Sequence, residues 1–557
     1  MNKELYLRKF HNLYFILLCV FTILPQFSFA QIPAHGTEAF GDRLIMGVVD
    51  QEGTQFNPFQ IYSPIERDIL QLIFGHGLIQ APNKYGSPPS LIDRYVYRSG
   101  QESNRVWRFV LRRNIVFQDG TDVRNTDAQF TFRVLKKYGG FILNRKLDFD
   151  NIKSFSIDGD LEFKIELFKS DKKFDEKLSN IPILSRKYYK DVLTKGYEVF
   201  NQKTPMGLGP FAFVSRTSNT LNLRYHPHYF SGRPFLNNIT IKFVQNQQQL
   251  VNQLVSGDLD YIEIEDRVTA QQLHQLMGRK TVVFTVPRPE KKLFIMMMNL
   301  RKFPFSESTV RRAIYLALDR KRWVDRFLKQ NGEVAHTLFD RDSPYYYHQL
   351  FKNEYNPAKA LRILKLAGWK LNSQTGILEK NGKPLTFNLL FSKNSFLEES
   401  IARSIKINLA ELNINVKPIP IDPSQLNRIL NGNGFNSIVY SYEYDPQYPF
   451  EALENFYFDI LRGSPNAPNY QNRYVDRLFN LAYQNPKVRQ NLYHRFQYYV
   501  QRENPAIFLF FDNRVIIAVS SRFRNVRSTF RDGESFFFRL NPLENWFVPK
   551  NLQKYAF

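Results

Sequence analysis

The sequence predicts a mixed α/β fold built around more than one hydrophobic core. Two observations carry this. The chain has 557 residues, 43% hydrophobic and 23% charged, which is too long for one ordinary domain and too apolar for wholesale disorder. Short apolar strands also alternate with helices whose apolar residues recur on one face. A mean hydropathy of −0.39 excludes a polytopic membrane protein. Aromatic residues make up 15%, and their rings suit wide cores and ligand clefts alike.

The first thirty residues read as an address rather than a structural element. Lys3, Arg8 and Lys9 form a positive start, and Leu13 to Leu24 is an apolar run too short to span a bilayer. Pro25 ends the run, and Ser28 and Ala30 place small residues where a signal peptidase needs them. Cleavage after Ala30 is the expectation. The only cysteine, Cys19, lies inside the apolar run and follows Leu18, which does not suit a lipoprotein signal. The mature chain then has no cysteine, so disulfides, thiolate nucleophiles and cysteine-ligated metals are excluded.

Ile239 to Val244 reads as a strand, and the run Asp258, Asp260, Glu263, Glu265, Asp266 alternates with Leu259, Tyr261, Ile262 and Ile264 as an edge strand would. A helix is expected after Ser306 as N-cap, with Val310, Ala313, Ile314, Ala317 and Leu318 on its buried stripe. Asn356-Pro357 starts another, with Ala360, Leu361 and Leu364 on one face and Gly368 as its stop. Asn381-Gly382 between two apolar stretches predicts a hairpin. Asp119-Gly120 predicts another tight turn, and Gly209-Pro210 a rigid crossing point.

Catalytic patterns are missing: there is no Gly-x-Ser-x-Gly, no His-Glu-x-x-His and no dinucleotide fingerprint. Gly376 to Lys383 has the wrong spacing for a phosphate loop and Pro384 where Ser or Thr is required. His226-Pro227-His228 has no third metal ligand nearby in sequence, and the acidic run lacks an EF-hand's glycine and spacing. No cofactor is implied. The net charge is +24, which attracts anions, but the basic residues are scattered in short pairs, so no nucleic-acid partner is expected.

Nine segments in order resemble the family-5 extracellular solute-binding proteins, the oligopeptide-, dipeptide- and nickel-binding subunits of ABC importers. They are Phe56-Asn57-Pro58-Phe59; Leu72 to Leu78; Trp107 to Ala128, with Asp119-Gly120 and Asp127; Gly207 to Phe211; Tyr229 to Leu236; Ser256-Gly257-Asp258-Leu259-Asp260; Asn299; Val310 to Arg320; and Tyr355 to Trp369. The resemblance implies a periplasmic-binding-protein-like, class II-type two-lobe fold with an extra inserted domain, three domains in all. A signal peptide (1–30) would precede domain I (31–82, 203–283 and 515–557), domain II (83–202) would be inserted, and domain III (284–514) would close over the ligand. Strand crossings are expected near Lys203-Thr204-Pro205 and around residues 283 and 514.

The same resemblance implies a peptide or peptide-like solute in the interlobe cleft, delivery to ABC permease subunits, no catalysis, and a monomer in the periplasm. Gln60, Tyr62, Tyr440, Ser441, Tyr442, Glu443 and Asp445 are the expected ligand contacts. Peptide binders of this family set an aspartate against the ligand's α-amine just before an Asp-Pro pair, and that position here is Tyr442. Recognition of a free amine would therefore pass to Glu443 or Asp445. The rival readings are a secreted hydrolase with a site assembled from separated residues, and a basic envelope protein that holds anionic polymer.

Overall fold

The structure, a computed structural model, describes residues 39–555 apart from internal stretches, the longest being 79–90, 445–469 and 528–539. The expected signal segment, with Cys19, Ser28 and Ala30, lies outside the described residues. One sheet dominates. Its strands, numbered along the chain, are β1 (Arg43–Val49), β2 (Phe211–Arg216), β3 (Thr220–Tyr225), β4 (Asn238–Val244), β5 (Tyr261–Ile264), β6 (Thr281–Met298), β7 (Gly332–Val334), β8 (Thr386–Ser392), β9 (Asn415–Ile421), β10 (Ser437–Tyr444) and β11 (Ala506–Ser520). They are ordered β9-β8-β10-β6-β11-β5-β1-β4-β3-β2, with β7 beside β11.

Strands β6 and β11 are the longest elements, at 18 and 15 residues, and pair antiparallel along most of their length. Each feeds more than one buried cluster. Val286 of β6 and Val515 of β11 pack with residues from Leu44 to Val548. Leu293 to Met298 and Ile507 to Phe511 pack with residues lying between them in sequence. The change of core coincides with a bulge: Pro287 faces Arg514 and Lys292 faces Asp512, so five steps on β6 run beside two on β11.

Five helices matter below: α1 (Pro64–Phe74), α2 (Asn125–Tyr138), α3 (Ser308–Ala317), α4 (Pro357–Leu366) and α5 (Phe396–Ala410). The stripe expected on α3 is buried throughout. Its start differs from the expectation, however. Glu307 and not Ser306 is the N-cap: its carbonyl already accepts from Val310 and Arg311, and its side chain turns away to Lys380 at 2.9 Å. On α4, Asn356 Oδ1 accepts from the Lys359 amide at 2.8 Å as expected. The hairpin also forms, with Lys380 opposite Lys383 and positive φ at Asn381 and Gly382.

The acidic run is not an edge. Strand β5 lies between β1 and β11, because its awkward charge is neutralised. Arg522 Nε and Nη2 donate to the two oxygens of Asp260 at 2.9 and 2.8 Å, and Nη1 reaches Asp42. The Ile45 amide completes the cage on Asp260.

A second, four-stranded antiparallel sheet (Ile92–Tyr97, Val106–Leu111, Ile152–Asp158, Glu162–Leu167) carries α2. It is joined to α1 and β2 at one side chain. Gln118 Nε2 donates to the carbonyls of Ile73, Gly209 and Phe211, and Oε1 accepts from Gly207. Gly207 and Gly209 lie directly on the end of α1, where a β-carbon would come within 2.4 Å of Phe74 Cα and 2.2 Å of the Leu72 carbonyl oxygen. Asp119-Gly120 makes the expected turn, closed by the Phe117 amide donating to Thr121.

Candidate ligand-binding site

Strand β10 carries four of the seven expected contacts, and its register with β6 assigns their faces. Tyr440 lies opposite Ile295, Ser441 opposite Phe294, Tyr442 opposite Leu293 and Glu443 opposite Lys292. Side chains alternate along a strand, so Tyr440 and Tyr442 share one face and Ser441 and Glu443 the other. The two tyrosines pack, half-buried, on the cluster that includes Leu293, Ile295 and Tyr493. Burial, with Tyr442 and Glu398 nearby, pushes the Tyr440 phenol well above its ordinary value.

On the opposite face Glu443 meets Lys292, whose side chain is nearly buried, at 3.7 Å from Nζ to Oε1. Lys292 also faces Asp512 across β11, so three charges lie side by side at the bulge. Next along, Glu398 of α5 is buried. Its Oε1 accepts from the Ser441 amide at 3.1 Å and its Oε2 from the Ser392 amide at 3.0 Å. This carboxylate ties α5 to the ends of β8 and β10.

Gln60 starts a two-residue strand beside Phe141 and accepts from Asn57 Nδ2 at 2.9 Å. Tyr62 and Asp445 lie outside the described residues. Lys292 and Glu398 escaped the sequence reading. Ser395-x-x-Glu398 looks there like a helix-capping box, but the glutamate reaches past the cap to two other strands.

The motif residues serve as scaffold. Asp127 accepts from the Arg124 and Arg186 amides at 2.9 and 2.8 Å; burial raises its pKa while those donors oppose the rise. Arg311 donates to the carbonyls of Phe305, Glu503 and Asn504, and Arg320 to those of Ala335 and Phe508. His226 is buried against the Gly209 carbonyl, and burial lowers its pKa. Among the described residues no group of three or more His, Cys, Asp or Glu could hold a metal ion, and no helix is long and apolar enough to cross a membrane.

Comparison with known proteins agrees with this scaffold. The model described as "Bacterial extracellular solute-binding proteins, family 5 Middle" matches residues 97–460. The oligopeptide-binding protein AppA of Bacillus subtilis is 26% identical over 490 residues, covering 85% of this chain and 87% of the relative. The nickel-binding periplasmic protein of Escherichia coli is 24% identical over 331 residues, covering 58% and 62%. Among solved structures, AppA with a nonapeptide aligns at a TM-score of 0.69 and 22% identity over 92% of this chain and 99% of that one. NikZ of Campylobacter jejuni with Ni(L-His) aligns at 0.70 and 22% over 87% and 95%. These likenesses cover both cores and the strands that pass between them, and the chain belongs to family 5 of the bacterial extracellular solute-binding proteins.

Proposed function

We propose that this chain is the substrate-binding subunit of an ABC importer. It captures a peptide-like solute between two lobes and hands it to the permease without chemistry. In this reading the chain is exported to the periplasm by residues 1–30 and acts as a monomer, and residues 284–514 close against the discontinuous domain I and inserted domain II. Gln60, Tyr62 and the stretch from Tyr440 to Asp445 face the solute. The observation that supports it is the paired β6–β11 ribbon, which leaves one core and enters another at a bulge. Two bodies joined by a bent ribbon suit closure on a ligand.

Glu443 already has a cation beside it in Lys292. A ligand amine would have to compete with that lysine, so the preferred solute presents no free α-amine to this strand. Calorimetry with paired free and N-acetylated peptides tests this. Equal or tighter binding of the acetylated member, with Glu443→Gln weakening neither selectively, is the expected outcome. A selective loss of the free-amine peptide by tenfold or more in Glu443→Gln would show instead that the acid holds an amine. Mass spectrometry of whatever co-purifies identifies the solute class directly.

A further inference from the structure

Strands β8, β9 and β10 run parallel in the order β9-β8-β10. The chain leaves β8 through α5 to reach β9 on one side, then crosses to β10 on the other. The carboxyl ends of β8 and β10 therefore flank a point where the strand order reverses, the place where open α/β sheets leave a crevice. The stretch of β10 that reaches it begins near Tyr440.

The ladder beside this crevice stops early. Leu389 lies opposite Ser437 and Leu390 opposite Ile438, and no further pair forms between β8 and β10 among the described residues. Continued, the same register would set Ser392 opposite Tyr440, and the Ser441 amide would reach for the Ser392 carbonyl. The Lys393 amide donates to Ile421 of β9, so the Ser392 amide, one step back, points the other way, toward β10. Both amides meet one group instead. Glu398 Oε2 accepts from the Ser392 amide at 3.0 Å, and Oε1 accepts from the Ser441 amide at 3.1 Å and from its hydroxyl at 3.4 Å. The glutamate is buried, and its own amide donates to the Ser395 hydroxyl at 3.2 Å in the first turn of α5. Two donors facing each other need an acceptor at both ends, which a carboxylate supplies. A side-chain amide would turn its NH2 against one of them.

We propose that Glu398 is a positioning residue for the solute site, a built-in anion that takes the place of the missing rungs and fixes β10 from Tyr440 to Glu443. The assignment rests on the reading in which that stretch faces the solute. Glu398 acts through Ser441. Where this one amide is held sets Tyr440 and Tyr442 on one face of the strand and Glu443 on the other. Without the carboxylate two buried donors lose their acceptor, which costs more than the bonds contributed. The end of β10 is then released while its paired part stays.

Glu398→Ala excises a group with the size and charge of acetate, so the probes are sodium acetate and neutral acetamide at matched ionic strength. In the full mature protein, amide exchange at Ser392 and Ser441 should quicken at least tenfold in this variant, with Leu390 unchanged. Acetate should slow it again, saturably, and acetamide should not. A mixed pool of N-acetylated pentapeptides, with retention read by mass spectrometry where every variant is folded, should be held at least tenfold less by Glu398→Ala and recovered by acetate. Glu398→Gln, the second variant should the first fail to fold, frees one amide and answers to neither probe. Glu399→Gln, next along and paired with the exposed Arg403, is the control and should behave as wild type. Wild-type exchange in both Glu398 variants, or equal effects of acetate and acetamide, overturns the proposal. So does unchanged peptide retention by a variant whose amides are freed, which leaves the solute reading standing. A wild-type protein that retains no peptide counts against the solute reading instead, and the acetate response still decides whether Glu398 holds the two strand ends.

Discussion

Glu544 is buried, and burial raises its carboxyl from 4.5 to about 7. A folded-state pKa above the unfolded value means the folded protein keeps a proton that the unfolded chain releases. Its contribution is therefore complete below about pH 4.5, declines as pH rises toward 7, and is gone above that. The shift corresponds to about 3 kcal/mol. Glu544→Gln should flatten this part of the stability–pH curve and make the protein more stable than wild type at pH 8, read from urea midpoints at several pH values; parallel curves for the two proteins would refute it. Asp260 is also buried, with its charge matched by Arg522 inside the protein. Asp260→Ala leaves that guanidinium poorly compensated and should cost about 3–5 kcal/mol, seen as a lower midpoint at unchanged slope. The sequence marked Asp260 by its resemblance to a family motif. It could not show the partner, which lies 262 residues away.

Elements were legible where their signals are local. The stripe of α3, the Asn356 cap and the Asn381-Gly382 turn depend on residues within eight positions of one another, and each formed. The N-cap of α3 was misread by one residue, because Lys380, from a distant hairpin, draws off the side chain of Glu307. Strand β5 was misread as an edge for a similar reason: its alternation is real, but the covering strands come from residues 43–49 and 506–520. The candidate site was legible only as a segment. Which faces of β10 meet Lys292 or the core follows from a pairing about 150 residues apart. The seam at Gln118 gives a test at this scale. Gly209→Ala would drive a methyl group against the Leu72 carbonyl and should destabilise by about 1–3 kcal/mol. Gly434→Ala, with nothing within 4 Å, is the control and should change little.

At the scale of the whole molecule, the proposed closure predicts a smaller radius of gyration by small-angle scattering when solute is bound. An unchanged radius at saturation would count against it. The passage between the cores is a hydrogen-bonded ribbon and not a loose linker, so its amides on either side of the bulge should exchange slowly with solvent even where the backbone must flex. The two rails of that ribbon are also unequal, since β6 spends five steps where β11 spends two. Surplus contour on one side lets a ribbon curl readily one way and resist the other, as a strip with a slack edge does. On that account the direction of any swing is written into the backbone before a solute arrives, and a deletion that equalised the rails should stiffen the molecule.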